Sequence, residues 1–354
     1  MHIGAGAPRS NGARTLSLPW LSIELCCSAE DLHTEVERAL SKFARQPGPG
    51  LHVDHAGVVA PPPLKALLEW AEGPRLDDEA ADVRSRANLR YQFVDGSVDE
   101  ERARFVTHDG SILDLDLSSR ALRGRIRREV ITAPYSTWPD LVASPLAELW
   151  RSDGCFPLHA GAVEIEGRTA LVPGGSGSGK TTLALALIWH AEGRWRADDK
   201  VLVREGAGRT VARSLYRNAN VHPRSAVLHP DPAFLLTRPP LDATNEKRSV
   251  DLGELHPTAV DLSAFEPDLL VFPEVAGERS GIVRLSRTEA FLRLAANSPS
   301  SPCARRRSDQ ARLLAGIARA LPAWTARLGP DLLAEPRSIA AGLVSGLLAS
   351  LDFS

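Results

Sequence analysis

The chain has 354 residues, 43% of them hydrophobic, and its 42 basic and 44 acidic residues give a formal net charge of −2. That length and content bury a sizeable core, divided more readily between two domains than held in one. The charges are spread along the whole length, which excludes the strongly basic balance of a nucleic-acid or anionic-lipid binder; the local clusters at 123–128 and 305–307 read as solvated faces.

Four cysteines, Cys26, Cys27, Cys155 and Cys303, show neither a C-x-x-C pair nor zinc-ligand spacing, which fits a reducing cytoplasm. The first eighteen residues lack the apolar stretch of a signal peptide. No uncharged apolar run is long enough to span a bilayer, so neither secretion nor membrane insertion is expected.

In chain order, residues 1–18 are expected to be disordered, followed by a smaller N-terminal α+β domain over 19–145. Pro19 argues against a helix, 20–25 has the pattern of a strand, and Ser28-Ala-Glu-Asp31 opens a helix with an acidic first turn that runs to about residue 44. Pro/Gly-rich 46–50 and 61–63 break the pattern. Residues 64–70 suggest a short helix, and 77–87 a charged, exposed segment. From 89 to about 130, short runs alternate apolar and polar residues, with Asp109-Gly110 marking a hairpin turn. No motif in 1–145 carries recognisable chemistry, so this part reads as an accessory or substrate-presenting domain. The catalytic domain is expected over 146–335, opening on a helix at 146–150 that Phe156 and Pro157 stop, with a C-terminal helix over 336–354.

The informative third begins there. Gly174-Gly-Ser-Gly-Ser-Gly-Lys-Thr181 fits G-x-x-x-x-G-K-[ST], the loop that wraps backbone N–H groups around phosphates. Gly174, Gly175, Ser176, Gly177, Ser178 and Gly179 would form the cradle, with Thr182 beside them; Lys180 would reach the β and γ phosphates and the Thr181 hydroxyl would ligate Mg²⁺. An apolar strand at 169–172 enters the loop and a helix at 181–190 leaves it, a context that a flexible Gly/Ser linker lacks, and it points the helix N-terminus at the phosphates. Residues 160–165 and 168–172 read as an antiparallel hairpin turning at Glu166-Gly167, where many P-loop proteins use a parallel βαβ unit.

Soon after the helix, Asp198 and Asp199 precede an apolar strand. One carboxylate would hold Mg²⁺ while the other takes a proton from an attacking hydroxyl. His159 starts the hairpin whose other strand ends at the loop, which brings it towards the phosphates.

Together, Leu158-His-Ala-Gly-Ala-Val-Glu-Ile-Glu-Gly, Pro173-Gly-Gly-Ser-Gly-Ser-Gly-Lys-Thr-Thr-Leu-Ala-Leu-Ala and Ala197-Asp-Asp-Lys resemble the core of HPr kinase/phosphorylase and its relatives, a fold similar to the core of phosphoenolpyruvate carboxykinase. The resemblance is specific over 157–203 and extends more weakly to about 330, through Asp268-Leu-Leu-Val-Phe-Pro273, the helical stretch 285–297 and the strand-like 321–329. It implies an α/β protein with a mixed sheet and a P-loop core. It also implies a catalytic centre of His159, Lys180, Thr181, Asp198 and Asp199, with Asp198 as the Mg²⁺ partner and Asp199 as the base, the reverse assignment staying open. Lys247 or Arg248 falls where many relatives place a basic residue, able to offset charge on the transferred phosphoryl group. The chain departs from the enzymes that act on HPr at Thr182, where they carry Glu, and it lacks their Gly-rich signature loop. The implied acceptor is a hydroxyl of a peptide, a protein or a small molecule, and these departures leave HPr as the substrate and the reverse reaction open.

The resulting expectation is a kinase using ATP and Mg²⁺, with no nucleic-acid or membrane partner and with the homo-oligomeric assembly common among relatives. A non-catalytic ATP-binding sensor is the alternative, and carboxykinase-like chemistry comes third.

Overall fold

A computed structural model describes residues 13–41, 43, 61–71, 77–90, 94–132, 137–241, 246–256, 258–277 and 279–349. The chain is α/β with several mixed sheets. Two compact units emerge: one gathers the described residues as far as Asp153 together with Ser301–Arg307, the other those of Gly154–Ser300 and from Ser308 onward.

The first unit contains β1 (Arg14–Leu18), β2 (Leu21–Cys27), α1 (Glu30–Leu40), β3 (Leu64–Trp70), α2 (Asp77–Ser85), β4 (Leu89–Arg90), β5 (Val94–Val98), β6 (Arg102–Thr107), β7 (Ile112–Asp116), β8 (Ala121–Ile126), α3 (Glu129–Thr132) and α4 (Thr137–Ser152). One sheet runs β1-β2-β3-β8-β7-β6-β5-β4. β3 is parallel to both of its neighbours, and the β6–β7 pair turns at Asp109-Gly110 with Gly110 at φ 89°.

Four expectations are corrected in this unit. Arg14–Leu18 belongs to a strand paired with β2, although the chain was expected to be disordered through residue 18. Residues 64–70 form β3, a strand, where a helix was expected. Their helix-forming composition yields to pairing on both sides, with Leu64, Ala66 and Leu68 buried at period two between exposed Lys65, Leu67 and Glu69. Residues 146–150 do not open the second unit. They lie within α4, which runs through Pro145, and Leu141, Leu146, Leu149 and Trp150 are buried along it; the Trp150 indole N–H donates to the Pro19 carbonyl at 2.9 Å. Finally, the basic cluster at 305–307 is not a solvated face throughout. Arg306 is buried against Glu148 at 3.3 Å, and Ser301 Oγ donates to the same carboxylate at 3.1 Å. Arg151 pairs with the other oxygen of Glu148, so this buried acid is balanced by two guanidinium groups. The Pro/Gly-rich stretch 46–50 and residues 1–12 lie outside the described residues.

The second unit contains β9 (Phe156–Leu158), β10 (Ala160–Ile165), β11 (Arg168–Pro173), α5 (Lys180–His190), β12 (Arg194–Ala197), β13 (Val201–Gly206), β14 (Arg209–Ser214), β15 (Asn218–Val221), a 3₁₀ turn (Pro223–Leu228), α6 (Pro232–Leu236), β16 (Arg248–Asp251), α7 (Leu252–Leu255), β17 (Leu269–Val275), β18 (Gly281–Arg284), α8 (Arg287–Ala296), α9 (Ala304–Ala320, its first residues grouping with the first unit), β19 (Ala323–Leu328), α10 (Asp331–Ala334) and α11 (Pro336–Ala349). Its main sheet runs β12-β10-β11-β17-β19-β18, with β11, β17 and β19 parallel and β10 antiparallel to both β11 and β12.

Alternation along the central strands splits the core into two layers. Ala170, Val172, Leu269 and Val271 face α5 and α11, while Leu171, Leu270 and Phe272 face α8 and α9. Every residue from Leu183 to Ile188 is buried, because helix and strands surround α5. That burial anchors the helix whose N-terminus carries the glycine-rich loop.

Candidate functional site

The antiparallel β10–β11 hairpin pairs Ala160 with Pro173, which sets His159, just before β10, beside Gly174, just after β11; the Gly174 N–H donates to the His159 carbonyl at 3.0 Å. β12 pairs back onto β10 through Ala162 and Ala197, so the two aspartates leave the sheet at the same edge. Gly161 lets them approach, since a Cβ there would stand 3.2 Å from the Ala197 carbonyl oxygen.

The loop itself is shaped by contacts that exclude side chains. A Cβ on Gly174 would stand 2.3 Å from Ser178 Oγ, and Gly179 combines φ 101° with a Cβ position 2.7 Å from Leu328 Cδ1. We expect Gly179→Ala to cost about 1–3 kcal/mol in urea unfolding. Gly208→Ala, at φ +77° with nothing within 4 Å, carries only the backbone term. Equal costs at the two positions would contradict this reading of the loop.

Behind the loop, Lys180 Nζ donates to the carbonyls of Gly174 at 2.7 Å and Gly175 at 2.9 Å and lies 3.1 Å from His159 Nε2. His159 Nε2 is 2.9 Å from Asp199 Oδ1. A proton on Nε2 donates to that carboxylate and leaves Lys180 bonded to the loop carbonyls. Thr181 Oγ1 donates to Asp198, 3.1 and 3.3 Å from its two oxygens, and the Asn220 N–H adds a bond of 3.4 Å. Asp199 occupies the left-handed region at φ 62°, and the adjoining Lys200 N–H closes a 2.7 Å turn onto the Asp198 carbonyl. A non-glycine residue held there is a strained feature of the kind that clusters at working sites. The turn aims the two adjacent carboxylates in different directions, one at Thr181 and one at His159.

Their environments separate them further. Burial pushes the Asp198 carboxyl up to about 7, the neighbouring Asp199 charge adding to it against Lys180 and Thr181. Burial also acts to raise Asp199, but the His159 hydrogen bond and the nearby cations outweigh it and hold that group at about 2. Lys180 is shifted down by burial against the pull of both carboxylates. A carboxyl with a raised folded pKa keeps a proton that the unfolded chain has lost, so the contribution of Asp198 to stability falls as pH rises from the ordinary 3.8 to about 7. In chelated buffer the stability of the wild type relative to Asp198→Asn should therefore fall across that window in urea titrations. Parallel profiles would contradict the assigned burial.

These groups line one cavity of about 630 Å³. Of the residues that the sequence singles out, it brings together His159, Ser176, Gly177, Gly179, Lys180, Thr181, Thr182, Asp198, Asp199 and Lys247. Gly174, Gly175 and Ser178 do not line it. Lys247 Nζ reaches Ser176 Oγ at 3.4 Å, whereas Arg248 turns back to the Glu246 carbonyl and does not line the cavity. Thr182 bonds Ser225 across 2.7 Å. The sequence reading missed two walls. Asn220, His222, Arg224 and Ser225 come from β15 and the 3₁₀ turn, and Val275, Leu328, Leu332 and Leu333 from the ends of β17 and β19 and from α10. No local motif marks either wall; only the sheet order brings them to the loop.

The donor set suits a hard cation. Thr181 and Asp198 offer oxygen atoms side by side on the cavity floor, the one or two protein ligands that Mg²⁺ takes when phosphates supply others. Among the described residues no cluster of three or more His, Cys, Asp or Glu forms a metal site, the four cysteines form no disulfide, and no helix is long and apolar enough to cross a membrane.

No family model matches the chain, and no curated protein matches it. Among solved structures, it is similar to the Hpr(Ser) kinase/phosphatase from Coxiella burnetii at 13% identity and a TM-score of 0.31, over 55% of this chain and 98% of that one.

Proposed function

We propose that this protein is an HPr kinase-like phosphotransferase that moves the γ-phosphate of a Mg²⁺-bound nucleoside triphosphate, ATP in the first instance, to a hydroxyl of a peptide, a protein or a small molecule. One observation carries the reading: a glycine-rich loop and helix N-terminus share a cavity with two aspartates that point apart, Asp198 at Thr181 and Asp199 at His159.

The loop N–H groups and the α5 N-terminus bind the phosphates, and Lys180 swings from the Gly174 and Gly175 carbonyls onto their oxygens. Thr181 and Asp198 would hold Mg²⁺, which when bound would offset charge on the phosphates. Asp199 Oδ1 stays on His159, while Oδ2 accepts the proton of the attacking hydroxyl as its oxygen bonds the γ-phosphorus and the bridging P–O bond to the β-phosphate breaks, releasing the nucleoside diphosphate. The loose transition state of phosphoryl transfer asks for positioning more than for a strong base, so a carboxylate held at about 2 suffices. Lys247, whose Nζ reaches Ser176 Oγ at 3.4 Å, meets charge on the transferred group in this reading, and Arg248, turned to the Glu246 carbonyl, takes no part.

The test offers γ-labelled ATP and Mg²⁺ with native lysate and metabolite fractions to wild type, Lys180→Ala and Asp199→Asn. A discrete labelled acceptor that both substitutions abolish supports the kinase. Nucleotide binding without transfer by the wild type would leave a nucleotide sensor instead.

A further inference from the structure

We propose that the aliphatic wall of Val275, Leu328, Leu332 and Leu333 is the shelf on which the base of the bound nucleotide lies, and that it accepts adenine and guanine alike. This rests on reading the cavity as a nucleoside triphosphate site.

The sheet order fixes which end of the nucleotide goes where. The glycine-rich loop follows β11 in the middle of β12-β10-β11-β17-β19. On one side of it stand His159, before β10, and Asp198 and Asp199, after β12; these fix the reacting end. On the other side β17 ends in Val275 and β19 in Leu328, at the carboxyl ends of strands parallel to β11, the crevice where open α/β sheets bind ligands. The wall meets the far end of the loop directly, since a Cβ on Gly179 would stand 2.7 Å from Leu328 and 3.6 Å from Val275. From β12 to β19 there are four strand spacings, roughly 19 Å at about 4.8 Å each, room for an extended nucleoside triphosphate.

The chemistry of the wall matches a base. Every cavity-lining residue of 275–277 and 328–333 has an aliphatic side chain or none. Val275 is 66% exposed and Leu333 39% exposed, two large apolar groups presented at the mouth of a charged site, while Leu328 and Leu332 are buried beneath. A purine presents apolar faces and polar edges. Aliphatic side chains cover the faces of either purine, and with no polar side chain among the described residues that line the wall, none of these reads the exocyclic groups that separate adenine from guanine. Discrimination of that kind needs a hydrogen-bonding partner left unpaired by the wrong ligand.

The test is calorimetric titration of the full chain, with Mg²⁺ present, by ATP, GTP and inorganic tripolyphosphate, repeated on Val275→Ala/Leu333→Ala, which alters exposed positions only. ATP and GTP should bind the wild type within about threefold of each other, and both should weaken about tenfold in the variant while tripolyphosphate is unchanged. A preference of more than about a hundredfold for one purine would overturn the proposal. So would unchanged nucleotide binding by the variant, including the case in which its only defect is a raised KM for the acceptor, which would assign the wall to that substrate. If tripolyphosphate binds and nucleotides bind no better, the phosphate cradle stands and the shelf fails. If none of the three binds the wild type, the cradle itself fails and the shelf with it.

Discussion

Asp199→Asn should bind nucleotide as the wild type does and transfer phosphate about 10²–10⁴-fold more slowly, the usual size of a lost general base. The side chain keeps its shape, so the left-handed turn that places it has no new steric cost. What disappears is the negative charge facing His159 at 2.9 Å and the oxygen that takes the acceptor proton. Single-turnover kinetics with saturating nucleotide separate the two effects: the loss should fall on the chemical step and leave nucleotide Kd within a few-fold. Because His159 and the nearby cations hold this carboxyl at about 2, it stays ionised across the working range, and the wild-type rate should show no acid limb from Asp199 above about pH 3. A variant with wild-type turnover would remove Asp199 from the mechanism.

Lys180→Ala should fail at both stages, with nucleotide affinity reduced and any remaining transfer slower by about 10²–10³. Lys180 is a cation that offsets Asp198 and Asp199 at the cavity floor, and its ammonium sits among the Gly174 and Gly175 carbonyls at 2.7 and 2.9 Å. Removing it leaves two carboxylates facing incoming phosphates without that charge. Lys180→Arg should not rescue, because a planar guanidinium does not fit the small space between the loop carbonyls and His159. Normal activity of the arginine variant would show that a positive charge suffices and that the loop geometry does not matter.

The core of the site was legible because it is local. A glycine-rich loop between an apolar strand and a helix, a hairpin turned at Glu166-Gly167 and an aspartate pair before an apolar strand are all read within short windows, and the antiparallel register then brings His159 to Gly174. The 3₁₀-turn wall and the aliphatic shelf were not legible, since Ser225 meets Thr182, and Leu328 meets Gly179, only through long-range pairing. Of two adjacent basic residues, Lys247 and Arg248, sequence offered no way to choose; the start of β16 at Arg248 turns the second side chain away from the cavity. In the first unit, Leu64–Trp70 misled because leucine, lysine and glutamate favour helices in isolation, whereas two parallel neighbours decide the matter in the folded chain.

The division of labour between the two aspartates is the centre of the account, and titrating ATP with and without Mg²⁺ into wild type, Asp198→Asn and Asp199→Asn tests it most directly. Asp198, bonded to Thr181 at the oxygen pair that suits the cation, should be the residue whose loss abolishes the Mg²⁺ enhancement of ATP binding, while Asp199→Asn keeps it. If Asp199→Asn loses the enhancement and Asp198→Asn retains it, the roles are reversed; if Mg²⁺ has no effect on binding to the wild type, the cavity is not the metal–nucleotide site described.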